Sequence, residues 1–475
     1  GERLLTLVKK YVEHHREGEE FDRGMQHHQA RKIAREAMVL LKNDGDILPI
    51  RGNKKVAFIG KFAETPRYQG GGSSHINVSD ELSALEAVRS VCKVSYAPAF
   101  SLKEDTVDET AQEEAVQIAA QSDLAVLFLG LPEYAESEGF DRTNMRLPQN
   151  QLTLVERVLQ VQKQVVVVLH NGAPVELPFA DEVPAILEAY LGGQAGGGAT
   201  VDLLFGAVSP CGKLAETFPL RLEDTPCYLN FPGHGDQVDY AEGVYVGYRY
   251  YDKRKLPVRF PFGHGLTYTT FAYSNLRVSG DTFRGEPLTV EVDVTNTGKV
   301  AAKEIVQFYV RPDHAGMDRP VRELKGFDKV FLAPGETGTA RCTLDSRAFS
   351  YWEDTIHDWY AEPGLYQVEA AASSRDIRLS VPVTVENKPL PVHVTFDTIF
   401  GDVMTIPGGR ELLKPLMEQH DALGGADEQM GEAGQAMKEA MLRFMPMHSV
   451  LSFSGGKVTS EMLDKLVKQL NELQK

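Results

Sequence analysis

Between residues 50 and 215 the chain alternates short, continuous apolar runs with stretches of helical spacing. Val56 to Ile59, Cys92 to Tyr96, Leu124 to Leu129, Val165 to Leu169 and Ala185 to Tyr190 read as strands. Helical patterns fall near 80–91, 110–121, 149–163 and 196–206. Strands that are apolar throughout are covered on both faces. With helices between them they predict an α/β sandwich around a mostly parallel sheet. Ligands of such sheets lie beyond the carboxyl ends of the strands. Gly70 to Ser74, Glu138 and Asn171-Gly172 all follow strands, so they can converge on one edge.

The pattern divides the rest of the chain. Residues 36–215 form the α/β domain. Residues 216–270 are rich in Pro, Gly and Tyr with little periodicity, and read as an ordered connector packed on that domain. In residues 271–386 the helical spacing disappears. Leu288 to Val294, Glu304 to Val310, Lys329 to Leu332, Ala340 to Leu344, Leu365 to Ala371 and Ile377 to Val385 are strands, with turns at Asn296-Thr297-Gly298 and Pro334-Gly335. Strands at this spacing predict an antiparallel β-sandwich of the fibronectin type III kind. Residues 387–475 hold eight of the twelve Met residues and two predicted helices, about 427–444 and 459–473. Met-rich helices serve adaptable packing or self-association, so a homo-oligomer is one expectation. Leu4, Leu5, Val8 and Val12 have helical apolar spacing at the very start. The chain thus opens inside an amphipathic helix and reads as one piece of a larger or nicked protein.

Composition narrows the function classes. The 475 residues carry a net charge of −17, which disfavours a phosphate-tracking surface and hence nucleic acid. No apolar run approaches the roughly 18 residues of a membrane span. Cys92, Cys211, Cys227 and Cys342 are far apart and form no C-x-x-C pair, so they read as buried thiols in a reducing, cytoplasmic setting. His27 and His28 are adjacent and face different sides of a helix, which does not make a metal pair.

Four motifs remain. Ala135-Glu136-Ser137-Glu138-Gly139-Phe140-Asp141-Arg142 is a charged, Gly-flanked loop after a buried strand. A carboxylate there, partly shielded and with a raised pKa, can act as a general acid; the bland alternative is a solvated loop with local ion pairs. Gly70-Gly71-Gly72-Ser73-Ser74-His75 lacks the spacing of a phosphate loop, which weakens a nucleotide-binding reading. It lets a backbone approach a polar ligand, or is plain turn chemistry. Glu176, in His170-Asn171-Gly172-Ala173-Pro174-Val175-Glu176, is a second candidate carboxylate or part of a structural turn. Lys42-Asn43-Asp44-Gly45 reads as a helix terminus leading into a strand.

Together these motifs resemble glycoside hydrolase family 3, the β-glucosidases and β-xylosidases. Val39 to Pro49 matches the "V-L-L-K-N-x-G-x-x-L-P" that marks the start of the family's second domain. The loop through Glu138, followed by Asp141-Arg142 and Leu147-Pro148, matches its acid/base loop. Gly192 to Gly198 and Pro210 to Leu214, leading to Thr217-Phe218-Pro219, follow in the family's order. The resemblance implies that residues 1–35 are the last helix and linker of a TIM-like barrel, and that the Met-rich tail is an extension found on some members. It assigns Glu138 as catalytic acid/base and Gly72, Ser73, Ser74, Asp141 and Arg142 as substrate-binding, although Asp141 and Arg142 can equally brace the loop. No "S-D-W"-like motif, which carries the family's Asp nucleophile, occurs in the chain. The expected activity is therefore retaining hydrolysis of terminal β-D-glucosyl units of a β-glucoside or oligosaccharide, with a barrel-bearing companion chain or domain supplying the nucleophile. No cofactor or metal is implied. The family's N-acetylglucosaminidase branch, which tends to lack this Glu loop, is disfavoured. A β-xylosidase, or a non-catalytic carbohydrate-binding or scaffold protein, is the alternative.

Overall fold

The computed structural model describes residues 1–18, 20–313, 316–421, 437, 440–441 and 443–474. The chain separates into two compact units, Gly1–Glu386 and Asn387–Lys475.

The first unit opens with helix α1 (Glu2–His14), none of whose residues is buried. Helix α2 (Arg23–Ala37) follows, its N-terminus capped by Asp22, whose side chain accepts from the Met25 N–H. A six-stranded sheet then forms from β1 (Val39–Asn43), β2 (Val56–Ile59), β3 (Val94–Ala97), β4 (Leu124–Gly130), β5 (Val165–His170) and β6 (Ala185–Glu188), in the order β1-β6-β5-β4-β2-β3. All pairs are parallel except β1 with β6. Helices α3 (Ala84–Val88), α4 (Glu109–Ala120), α5 (Gln149–Val161) and α6 (Gly196–Leu204) alternate with the strands. All seven residues of β4 and all six of β5 are buried, as unbroken apolar runs require.

β1 departs from the sequence reading. The segment from Lys42 to Gly45 is expected to end a helix, but the helix stops at Ala37 and Val39–Asn43 is a strand. Val39, Leu40 and Leu41 are all buried. Three consecutive buried residues fit a strand covered on both faces better than one stripe of a helix. Leu40 also bridges Leu266 of the connector, whose N–H donates to the Leu40 carbonyl at 2.8 Å.

The sheet order fixes where a ligand can lie. The chain runs from β2 outward to β3, then crosses back to β4 on the other side of β2. Successive connections therefore leave β2 and β4 in opposite directions, opening a crevice at their carboxyl ends. The loops after these two strands carry Gly70–Ser74 and Glu138 respectively.

The connector is ordered. Phe218–Pro219 pairs with Val258–Phe260, and Tyr248 stacks on Phe262 with ring centres 4.5 Å apart. Beyond it lies a β-sandwich of a five-stranded and a three-stranded sheet. In Leu288–Asn296 the side chains of Leu288, Val290, Val292 and Val294 point into its core, the alternation a half-buried strand demands. The strand Phe271–Val278 was not expected. Asn275 sits at φ 51° and the register slips opposite it, so a bulge breaks the alternation.

The second unit packs helices Phe400–Val403, Gly409–Asp421, Ser449–Phe453 and Ser460–Glu472. Its core includes Val394, Val403, Leu413, Met447, Leu463 and Leu470. The last helix covers the span expected at 459–473, whereas most of the helix expected at 427–444 lies outside the described residues. Among the described residues no helix is long and apolar enough to cross a membrane.

Candidate active site

Two loops meet at the β2–β4 crevice. Gln69 closes the first: its Oε1 accepts from the Ile76 N–H at 2.9 Å, and the Ser74 hydroxyl donates to the Gly70 carbonyl at 3.1 Å. The second loop packs directly on it. A Cβ on Gly71 would meet Ser137 Oγ at 2.5 Å, and one on Gly72 would meet Glu138 Cβ at 2.6 Å. Gly72 also sits at φ 88°, where side chains are strained, so both space and backbone call for glycine there. The Ser73 N–H donates to Glu138 Oε2 at 2.6 Å.

Gly72, Ser73 and Glu138 are thus brought together, with Ser74 tying the loop behind them. Glu138 itself is exposed, and hydrogen bonding from Ser73 holds its pKa below the ordinary carboxylate value. This reverses the raised pKa expected from sequence. On this open face water and a backbone donor both stabilise the anion, and little desolvates it. Asp141 and Arg142 line a cavity of about 430 Å³ together with Tyr134 and Phe140, and Ser73 is not part of its lining. Arg142 is largely buried and reaches back toward Glu136, with 3.7 Å between Nη1 and Oε1. Glu176 accepts from the Leu222 N–H at 3.3 Å and so ties the connector to the α/β domain.

The residue that organises the second loop is Glu136. Arg67 Nη1 donates to Glu136 Oε2 at 2.5 Å, while Nη2 donates to the Glu136 carbonyl at 2.8 Å. The Gly172 N–H donates to the same Oε2 at 2.8 Å. Arg67 is buried, so this pair binds the loops after β2, β4 and β5 at one point in a low-dielectric setting. Two more carboxylates stand behind it. Glu188, at the end of β6, is fully buried and accepts from the Tyr190 N–H and from Asn171 Nδ2; burial pushes its pKa well above the ordinary range. Glu216 accepts from the Tyr190 hydroxyl at 3.2 Å, and burial raises its pKa to about 7. His170, buried at the end of β5, has its pKa lowered by burial to about 4 and stays neutral. Arg67 and Arg142 face Glu136, and Arg142 also acts on Glu216, whereas Glu188 is held by neutral donors.

Sequence reasoning did not single out Arg67, Glu188 or Glu216, although a charged residue closing the buried run Ala185 to Leu187 was a visible signal. Glu216 gives the cluster a pH dependence. The unfolded carboxylate releases its proton near its ordinary value while the folded one keeps it to about 7. Stability therefore falls as pH rises across that window. Glu216→Gln removes the ionisation and keeps a partner for Tyr190. It should match the parent near pH 4 and exceed it by about 1–3 kcal/mol at pH 8. Urea unfolding at both pH values reads this, and equal stability at pH 8 would show that Glu216 is well solvated.

Residues 38–268 match the glycosyl hydrolase family 3 C-terminal domain, and residues 304–374 match the fibronectin type III-like domain. The chain is 44% identical over 480 residues to thermostable beta-glucosidase B of Acetivibrio thermocellus, covering 100% of this chain and 63% of that protein. It is 42% identical over 454 residues to an exo-alpha-(1->6)-L-arabinopyranosidase of Bifidobacterium breve, covering 92% of this chain and 59% of the relative. Among solved structures, a Bifidobacterium adolescentis family 3 beta-glucosidase superposes with a TM-score of 0.81 at 44% identity, covering 86% of this chain and 61% of the other. The chain spans about 60% of the length of these relatives. With a family 3 C-terminal α/β domain followed by a fibronectin type III-like domain, and similarity over the whole of this chain to a family 3 beta-glucosidase, the chain belongs to glycoside hydrolase family 3.

Proposed function

We propose that this chain supplies the general acid/base, Glu138, of a retaining hydrolase of terminal β-D-glucosyl residues, and that a barrel-bearing companion chain or domain supplies the carboxylate nucleophile. The observation that carries the reading is the Glu138 carboxylate, exposed at the sheet crevice and anchored by the Ser73 N–H. Glu136, the nearest carboxylate in sequence, is engaged by Arg67 and the Gly172 N–H and serves the loop instead. In a retaining reaction the nucleophile attacks the anomeric carbon while Glu138 protonates the leaving oxygen; Glu138 then deprotonates the water that releases the sugar. The two carboxyls must lie about 5–5.5 Å apart. A covering surface would desolvate Glu138 and raise its pKa toward what an acid needs.

Helix α1 supports the companion. Leu4, Leu5, Val8 and Val12 are 50–69% exposed, an apolar stripe that a partner surface would cover. Gly72, Ser73 and Ser74 would contact the sugar through backbone and hydroxyl groups, and Asp141 and Arg142 would border it. A second reading rests on the arabinopyranosidase relative. Arabinopyranose and xylose both lack the exocyclic carbon of glucose, so a site without room for that carbon would prefer pentosides.

The test assays the chain alone, and the chain with a separately expressed barrel segment, on aryl β-glucoside, β-xyloside and α-L-arabinopyranoside. Turnover is expected only in the mixture and highest on the glucoside. Substantial turnover by the isolated chain would move the nucleophile into it; a mixture that forms a complex but hydrolyses none of the three would favour a non-catalytic binding role.

A further inference from the structure

The chain has two tryptophans, and one two-stranded hairpin, separate from the two sheets of the β-sandwich, holds both. Trp352 and Trp359 face each other across Ser350–Glu353 and Asp358–Ala361, with ring centres 5.9 Å apart and planes at 76°. They remain 48% and 40% exposed. Large aromatic rings left half in water are costly for a core but suit a surface that receives a flat apolar face. The pair is rigid. The Arg347 guanidinium lies 3.6 Å over the Trp359 ring, and the Trp352 indole N–H donates to Asp354 at 3.0 Å. Both rings border a cavity of about 620 Å³, within the roughly 300–1,000 Å³ usual for small-ligand sites.

The charged lining sets the ligand's chemistry. Glu323 receives Arg249 at 3.5 Å, Lys325 at 3.3 Å and Arg319 at 3.8 Å. Asp318 is engaged by Lys253. Four cations and three carboxylates line the cavity, and this pairing leaves directed donors and acceptors with little net field. Such a lining does not select an ion. It suits a neutral ligand that has hydroxyls around its rim and an apolar C–H face for Trp352. We propose that this cleft is a second carbohydrate site, binding neutral oligosaccharides by stacking on Trp352. It is remote in sequence from Glu138 and independent of the hydrolytic reading.

Because Trp352 and Trp359 are the chain's only indoles, tryptophan emission reports on this site alone. The test titrates the full chain with cellotetraose, following emission and heat, with tetragalacturonate as the anionic probe. Cellotetraose should give a saturable emission change matched by calorimetry. Trp352→Ala should weaken binding at least about tenfold, read through Trp359 and heat, whereas Trp352→Phe should keep most of it. Circular dichroism checks that both variants fold. No saturation by cellotetraose, undiminished binding by Trp352→Ala, or preference for tetragalacturonate would each overturn the proposal.

Discussion

In the assembled hydrolase, Glu138→Ala is expected to slow substrates with poor leaving groups by about 10²–10⁴-fold, the usual contribution of a positioned proton donor. Unactivated glycosides need protonation most, so they should suffer most. Activated aryl glycosides should still form the glycosyl-enzyme, which would then accumulate because no base activates water. Azide, a small anion that needs no base, should release it as the β-glycosyl azide. Asp141→Ala should show a smaller loss and no azide effect, since Asp141 lines the cavity with Tyr134 and Phe140 and takes no part in the Ser73 contact. Equal slowing of activated and unactivated substrates, without azide product, would reduce Glu138 to a loop brace.

The largest effect on stability is expected at Glu136. Its carboxylate offsets the buried Arg67 guanidinium and accepts the Gly172 N–H. Removing one partner of a buried pair leaves the other charge without compensation and costs about 3–5 kcal/mol. Glu136→Ala should therefore lower the urea midpoint of the α/β domain markedly. Arg67→Met alone should also destabilise, while the double variant should recover part of the loss, because it buries no lone charge. The Glu136 loop is also the Glu138 loop, so activity should fall with Glu136→Ala even below the unfolding transition. A loss under about 1 kcal/mol would mean the pair is effectively solvated.

The sheet was legible because β4 and β5 are unbroken apolar runs, which only burial on both faces explains. β1 was not, since Met38 to Leu41 continues directly from a helical stretch and no turn residue separates them. The strand at Phe271–Val278 was hidden by a polar bulge at Asn275. At the site, glycines and the Glu138 loop could be read locally. The Arg67–Glu136 pair could not, because its partners stand 69 residues apart and meet only through sheet order. The direction of the Glu138 pKa is hidden for a related reason: sequence shows a carboxylate on a loop, but not which carboxylates the fold buries. Near this site those are Glu188, fully buried, and Glu216, partly buried.

The bridge from Leu40 to Leu266 has a consequence for solubility. β1 is the outermost strand on its side, and an outermost strand with free backbone groups is a template on which foreign strands can grow. Leu266 occupies that margin beside Leu40, near the start of β1, and the chain's own connector stands in the way. The opposite margin, β3, is only four residues long. Strand-by-strand aggregation therefore finds a blocked margin on one side and a short one on the other, and surface Lys or Pro is not needed to defend them.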